Sequence, residues 1–395
     1  MFNLDKEARR ILESNRWTTK GFQYTIPSHD TYPYQWLWDS CFHAIVLSHF
    51  SLEDAKKELI SLVSHQFEDG MLPHMIYWVK AEAIKVDWGK NDTSTITQPP
   101  ILAYAVQDVY ERTSNKAFLE EIYPSMMRFY RYLVTKRDPL DHNLAGIINP
   151  DESGEDNSPR FDKALNVPFD ISNETHFRRR LELVEANKAC NFEVELCTSK
   201  NFWVKDVPFN VFLVENLKIL GSLASLLGRT EDAEFCTLNA GLMTEAMREY
   251  MFEDGVFWSV MDADHEKIRV ETWAHFAPLF AGLYTQEEAK TVVQTHFHNP
   301  KTFYSPFGIR TVSMREESYS ANGFWRGPIW MSIHWFIYHG LLRYGFTAEA
   351  EDILKKSVKL LELSGFREYY NPETGEGYGA KDFTWGALVL DMMEK

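Results

Sequence analysis

Helix-spaced apolar segments come in pairs along this chain, and within several pairs the two members differ in kind. Residues 208–228, PFNVFLVENLKILGSLASLLG, are apolar nearly all round, whereas 346–364 carry their charges on one face. A helix that is apolar all round is buried, and one with a single apolar stripe lies at a surface. The spacing predicts helices over 39–50 and 52–68, 95–113 and 116–136, 208–228 and 230–251, 271–283 and 286–297, and 327–344 and 346–364. A last helix at 382–394 has no follower, and the segment 3–15 is free to pair with it. Ser51 reads as the N-cap of the second helix. That makes about twelve helices in about six pairs with little strand alternation. The fold class expected is all-α, an (α/α)6 barrel with an inner ring of buried helices and an outer amphipathic ring. A solenoid is the alternative, but the pairs share no fixed period.

The long connections fall mostly ahead of the first helix of a pair, at 16–38, 69–94, 137–207, 252–270, 298–326 and 365–381. In a barrel such loops share one end, and loops longer than about 12–15 residues are usually functional. No linker divides the chain, so residues 1–395 read as one domain, with 137–207 forming part of a cap. Within that insertion FRRRLELVEANKAC reads as a short helix.

Charge narrows the partners. The formal net charge is −16, which disfavours nucleic acid and anionic membranes. No stretch approaches the run of about 20 apolar residues that spans a bilayer. The N-terminal MFNLDKEARRILESN lacks the apolar core of a secretory signal. Cys41, Cys190, Cys197 and Cys236 form no C-x-x-C pair and read as reduced, mostly buried thiols, which fits a cytoplasmic protein. Aromatic residues make up 14%, and many Trp and Tyr adjoin Asp, Gln, Arg or Gly. That mixture suits a pocket for hydroxyl-rich ligands, although any single ring is as well explained by core packing.

Five segments stand out, all on the loop-rich end. Residues 149–162, N-P-D-E-S-G-E-D-N-S-P-R-F-D, hold five carboxylates. A solvated acidic loop and a reactive site both explain that composition, and the spacing does not suit an EF-hand. In F-R-E-Y-Y-N-P-E-T-G-E-G-Y-G, residues 366–379, Glu368 lies among aromatics within a Gly-rich loop. Y-P-Y-Q-W-L-W-D-S-C-F (32–42), T-Q-P-P (97–100) and Y-S-A-N-G-F-W-R-G-P-I-W (319–330) each precede an expected inner helix. Asp39 reads as an N-cap there and as a candidate ligand. His43, His74, His275 and His334 read as core or rim histidines. Metalloprotease, serine hydrolase and P-loop motifs are absent from the sequence.

In combination these motifs resemble glycoside hydrolase family 63, in particular its short microbial members, which include mannosylglycerate and glucosylglycerate hydrolases. They are similar, more distantly, to the trehalases of family 37. The resemblance runs from Tyr32 to Leu390 and rests on W-x-W-D-x-x-F (36–42), S-G-x-D-N-S-P-R (153–160), F-W-R-G-P-I-W (324–330), and E-Y-Y-N-P-x-T-G-E-G with F-T-W (368–385). It implies an (α/α)6 barrel and hydrolysis with inversion at the anomeric carbon. It implies Asp156 as general acid and Glu368 as general base. Trp36, Trp38 and Asp39 would hold the sugar, with Gln98, Arg160, Trp325 and Arg326 lining the same pocket. Tyr32, Gln98 and Tyr319 would meet the aglycone, with a nearby Arg for a carboxylate. No metal or organic cofactor is implied, and the partner is a small carbohydrate. One departure is Glu155, where relatives often carry an aromatic or aliphatic residue. Pointing inward, it would keep Asp156 protonated longer; pointing outward, it would change nothing.

The expected activity is therefore exo-acting, inverting hydrolysis of a small α-glucoside or α-mannoside such as glucosylglycerate or mannosylglycerate. The alternatives are an α-glucosidase or trehalase on disaccharides, and a non-catalytic or epimerase-like barrel. Epimerases of that shape rely on His pairs, which these motifs lack.

Overall fold

The computed structural model describes residues 3–78 and 86–394. The middle of the 69–94 insertion, residues 79–85, lies outside the described residues. The chain is mostly helical. Its helices are α1 (Leu4–Ser14), α2 (Leu37–Ser48), α3 (Leu52–Val63), α4 (Leu102–Thr113), α5 (Lys116–Lys136), α6 (Asp162–Leu165), α7 (Asn173–Ala189), α8 (Val194–Lys200), α9 (Val207–Leu226) and α10 (Thr230–Ala246). They continue with α11 (Ala277–Phe280), α12 (Gln286–Val292), α13 (Met331–Arg343), α14 (Thr347–Ser364) and α15 (Leu388–Glu394).

The apolar helices find one another. α2 packs on α4, α4 on α9, α9 on α11, α11 on α13, α13 on α15, and α15 back on α2. Every residue of α2 is buried, whereas α14 buries only the stripe Ala350, Ile353, Ser357, Leu360 and Leu361. α3, α5, α10 and α14 pack outside their predecessors, and α1 meets α15, so the two chain ends close on each other. α9 is by length and composition apolar enough to cross a bilayer, contrary to the expectation that no stretch comes close; 78% of its most apolar window is buried in this core.

Local chemistry departs from expectation at several points. Ser51 stands at the N-cap of α3 as expected, but its hydroxyl accepts no helix amide and instead donates to Asp54 Oδ2 at 2.5 Å. Asp39, by contrast, is not an N-cap, because α2 begins two residues earlier at Leu37. The helix expected at 271–283 shrinks to a 3-10 turn, Trp273–His275, followed by α11 with Pro278 in its first turn. Short antiparallel strand pairs, overlooked in the helical pattern, line the loops; the one that matters most pairs Arg367–Tyr370 with Gly377–Lys381. The thiols are not all reduced: Cys190 and Cys197 form a disulfide joining the end of α7 to α8.

At the end remote from the long loops, α2, α4, α13 and α15 meet around Asp391. Its carboxylate accepts bonds from Trp335 Nε1 at 2.8 Å, His339 Nε2 at 2.9 Å and His49 Nε2 at 3.1 Å. Burial alone would raise the carboxyl, but His339, His49 and Trp335 outweigh it and hold it well below the usual carboxylate range. Burial works against His49 as a cation, yet Asp391 and Glu394 raise its pKa. A depressed acid stabilises above its unfolded value of 3.8 and loses that contribution as pH falls. A raised histidine stabilises below its unfolded value of 6.5 and loses its contribution as pH rises through the folded value. Asp391→Asn should therefore cost about 3 kcal/mol near pH 6, with a smaller deficit in acid. Calorimetric melts of both proteins between pH 3 and about 7 check this; a constant deficit across that range would contradict it.

Candidate active site

The 149–162 loop is not a solvated acidic surface. Asn149 caps its first turn, Pro150–Ser153, by accepting from Asp151 N. Glu152 is fully buried and takes both arms of Arg137, at 2.6 and 2.8 Å. It also accepts from Thr97 N at 3.1 Å, which ties this loop to the T-Q-P-P segment. Glu155 turns inward to the protein and away from the chemistry: it is buried, pairs with Arg160 at 2.9 and 3.1 Å, and accepts from Trp273 Nε1 at 2.8 Å. Burial raises its pKa, and Arg160 works in the opposite direction. Asp162 holds Arg326 at 2.5 and 3.0 Å. Asp151 and Asp156 share Arg180, from α7, at 2.8 and 2.5 Å. Each of the five carboxylates thus has a guanidinium, which is what allows so much negative charge to leave water. Asn157 completes the fastening by accepting from Trp325 N at 2.9 Å.

Packing of this loop leaves no slack. Gly154 has φ +73°, and a Cβ there would lie 2.5 Å from the Trp38 ring. The acid loop therefore rests directly on the indole of the W-x-W-D segment.

Glu368 stands on a strand, not in a loop as expected. Its Oε1 accepts from the Tyr32 hydroxyl at 2.6 Å and its Oε2 from Ala380 N at 2.8 Å across the strand pair. Gly379, at φ +66°, makes room, since a Cβ there would lie 2.2 Å from Oε2. Burial raises the Glu368 pKa to about 7, with Asp156 and Asp39 adding to it and Tyr32 and Ala380 opposing.

These residues share one cavity that encloses about 530 Å3, its mouth included. Tyr32, Trp36, Trp38, Asp39, Gln98, Asp156, Trp325 and Glu368, all expected at the site, line it. Asp39 accepts from Trp385 Nε1 at 2.7 Å, and burial lifts its carboxyl to about 6. Trp325 stacks on Trp330 at 3.7 Å between ring centres, and Trp38 meets Trp385 edge-on at 4.9 Å. Flat indole faces with carboxylates between them are what a sugar ring needs: apolar contact on its C–H face and acceptors for its hydroxyls. Three expected residues lie elsewhere. Arg160 and Arg326 are consumed by buried carboxylates, as above, and Tyr319 points its hydroxyl at Glu373, 3.4 Å away. Tyr32, expected to meet an aglycone, is bonded to Glu368.

Sequence reasoning missed His74, Asp151, Phe324, Phe383 and Trp385 as lining residues. The singled-out segments signalled Asp151, Phe324, Phe383 and Trp385, which lie inside them. His74 lay in a segment without a motif. Its Nδ1 bonds Ser94 Oγ at 2.6 Å, and burial lowers its pKa to about 3, so the ring is neutral. Arg180 was hidden inside the FRRRLELVEANKAC segment, which reads only as a short helix. No group of metal-ligating side chains occurs among the described residues.

The chain is similar in sequence and fold to known proteins. A family model, mannosylglycerate hydrolase MGH1-like glycoside hydrolase domain, matches residues 32–386. A mannosylglycerate hydrolase of Thermus thermophilus is 32% identical over 93% of this chain and 95% of its own length. A glucosylglycerate hydrolase of Mycolicibacterium hassiacum is 28% identical over 92% of each chain. Among solved structures, a family 63 mannosylglycerate hydrolase of Thermus thermophilus in complex with Tris and D-glycerate is similar at a TM-score of 0.90 and 31% identity, covering 100% of both chains. The paired carboxylates, the indole box and the matched span agree, and this chain belongs to the mannosylglycerate hydrolase MGH1-like family of glycoside hydrolases.

Proposed function

We propose that the protein is an exo-acting, inverting α-glycosidase of glucosylglycerate or mannosylglycerate, built on an (α/α)6 barrel. The observation that carries the reading is that Asp156 from the 149–162 loop and Glu368 from a strand, 212 residues apart in sequence (368 − 156), line one aromatic cavity beside Asp39. The ring of packed helices supports the barrel, and the pocket shape supports removal of a terminal sugar. Relatives that act on mannosylglycerate and glucosylglycerate, and a similar structure that holds D-glycerate, support the substrate class.

Hydrolysis needs a proton for the leaving oxygen and a water deprotonated on the opposite face of the sugar, with the two carboxyls about 6.5–9.5 Å apart. Asp156 gives the proton. Glu368 takes one from the water; Tyr32 and the Ala380 amide steady the charged form it must have to do so. Asp39, held by Trp385, accepts from sugar hydroxyls, and Trp36, Trp38 and Trp325 enclose the ring. His74, neutral at the wall, hydrogen-bonds without adding charge. Arg180, the cation next to the acid loop, favours an aglycone that carries a carboxylate over a second sugar.

Hydrolysis of α-glucosyl- and α-mannosylglycerate against maltose and trehalose tests the reading directly. At least one glycerate glycoside should be the better substrate by about 100-fold in kcat/KM; preference for a disaccharide would overturn it. Asp156→Asn should lower turnover of that substrate by about 100-fold or more, and spare a glycoside whose leaving group departs unprotonated. Equal losses on both would deny Asp156 the role of acid. Activity should fall as pH drops through about 7, because protonated Glu368 cannot act as a base. In Tyr32→Phe that acid limb of kcat/KM should move to higher pH, since a bond favouring the carboxylate is gone. A limb that stays put would mean that another group sets it.

A further inference from the structure

The ion pair on Asp156 conflicts with the work proposed for it. A general acid must hold a proton, yet Asp156 is paired with Arg180, and a carboxylate in such a pair has none to give. The geometry around Arg180 resolves the conflict. Nη1 donates to Asp151 Oδ1 at 2.9 Å and Oδ2 at 2.8 Å, and the same nitrogen stands 2.5 Å from Asp156 Oδ2. Nε is buried without a partner, Phe177 lies under the guanidinium at 5.4 Å, and about 10% of the side chain is open to solvent. Arg180 is therefore hydrogen-bonded to both oxygens of Asp151 and ion-paired with Asp156. The second contact is the one that can be exchanged without releasing the arginine.

We propose that Arg180 arms the acid by changing partners: the aglycone carboxylate takes its place against the guanidinium, and Asp156, released, acquires a proton from solvent. The inference rests on the reading above that the aglycone is a carboxylate. Charge favours the exchange. Two carboxylates around one guanidinium leave one net negative charge, and a third would leave two unless one carboxyl becomes neutral. Asp151 keeps its two bonds to Arg180, so Asp156 is the group that changes.

The cycle then balances. Protonated Asp156 gives its hydrogen to the glycosidic oxygen, and the bond from that oxygen to the anomeric carbon breaks with its electron pair staying on oxygen. Water adds to the anomeric carbon from the opposite face and gives a proton to Glu368. The acid product leaves, Arg180 returns to the now anionic Asp156, and Glu368 sheds its proton to solvent. One water is consumed. A glycoside with a neutral aglycone binds without releasing Asp156 and is turned over slowly, so specificity appears in kcat as well as in KM.

The test compares the glycoside of D-glycerate with that of glycerol, whose CH2OH replaces the carboxylate, using whichever sugar the wild-type enzyme accepts. Wild type should turn over the glycerol glycoside about 100-fold more slowly in kcat. In Arg180→Met the glycerate glycoside should lose activity, while kcat for the glycerol glycoside should rise about tenfold above wild type. An arginine that only binds the aglycone would leave the glycerol glycoside unchanged, and that outcome overturns the proposal. Infrared difference spectra of D-glycerate binding to the wild-type protein keep the question open to test even if Arg180→Met fails to fold. A protonated-carboxyl band should appear on binding and vanish in Asp156→Asn. No band, or a band lost in Asp151→Asn instead, would contradict the mechanism. Wild-type inactivity on both glycosides would instead remove the proposed substrate, which distinguishes the two failures.

Discussion

Guanidinium–carboxylate pairs inside the protein are the interaction on which the site depends. The 149–162 loop is too anionic to fold inward by itself, and taking one carboxylate out of water costs several kcal/mol unless it is paired and bonded. Arg137, Arg160, Arg180 and Arg326 supply those pairs from four different parts of the chain. Arg137, Arg160 and Arg326 act by position: their pairs hold the loop inside the protein, where Gly154 rests on Trp38 and Asn157 on Trp325. Arg160 extends the chain of charge, since its Nε bonds Asp206 at 3.0 Å and Asp206 accepts from Ser259 at 2.9 Å. Loss of one partner would strand a buried charge, at about 3–5 kcal/mol.

Opposite this ionic loop stands a simpler device. Glu368 is held by a strand pair and by one tyrosine, among apolar rings, with hydrogen bonds from Tyr32 and Ala380 in place of a cation. The two carboxyls therefore live in contrasting surroundings: one is charge-compensated and the other is desolvated to a pKa of about 7. Different environments are how two chemically similar acids come to do different work.

Much of this was legible in sequence. The helix pairs were visible because burial imprints a period on side chains, and α9 and α14 differ in composition as their positions in the core require. The site segments were visible because their residue types are unusual together; Asp156, Glu368, Asp39 and the indoles are all in such motifs. What was not visible is contact between distant residues. Arg160 and Arg326 look like ligands in their motifs, and nothing local reveals that Glu155, Asp206 and Asp162 consume them. Arg180 sits in a helix with charged neighbours, and only folding brings it to Asp156. The strand under Glu368 was hidden because a short pair of strands next to glycines reads as a loop. The Cys190–Cys197 bridge was hidden because a spacing of seven residues suits a pair only once the turn between α7 and α8 is known.

The central claim is that Glu368 deprotonates a water on the face of the sugar opposite the oxygen protonated by Asp156. Proton NMR of the sugar released in the first moments of hydrolysis, before mutarotation mixes the anomers, tests it most directly. The account predicts that an α-glycoside yields the β-sugar first. An α-sugar as the first product would mean retention through a covalent intermediate, and would contradict it.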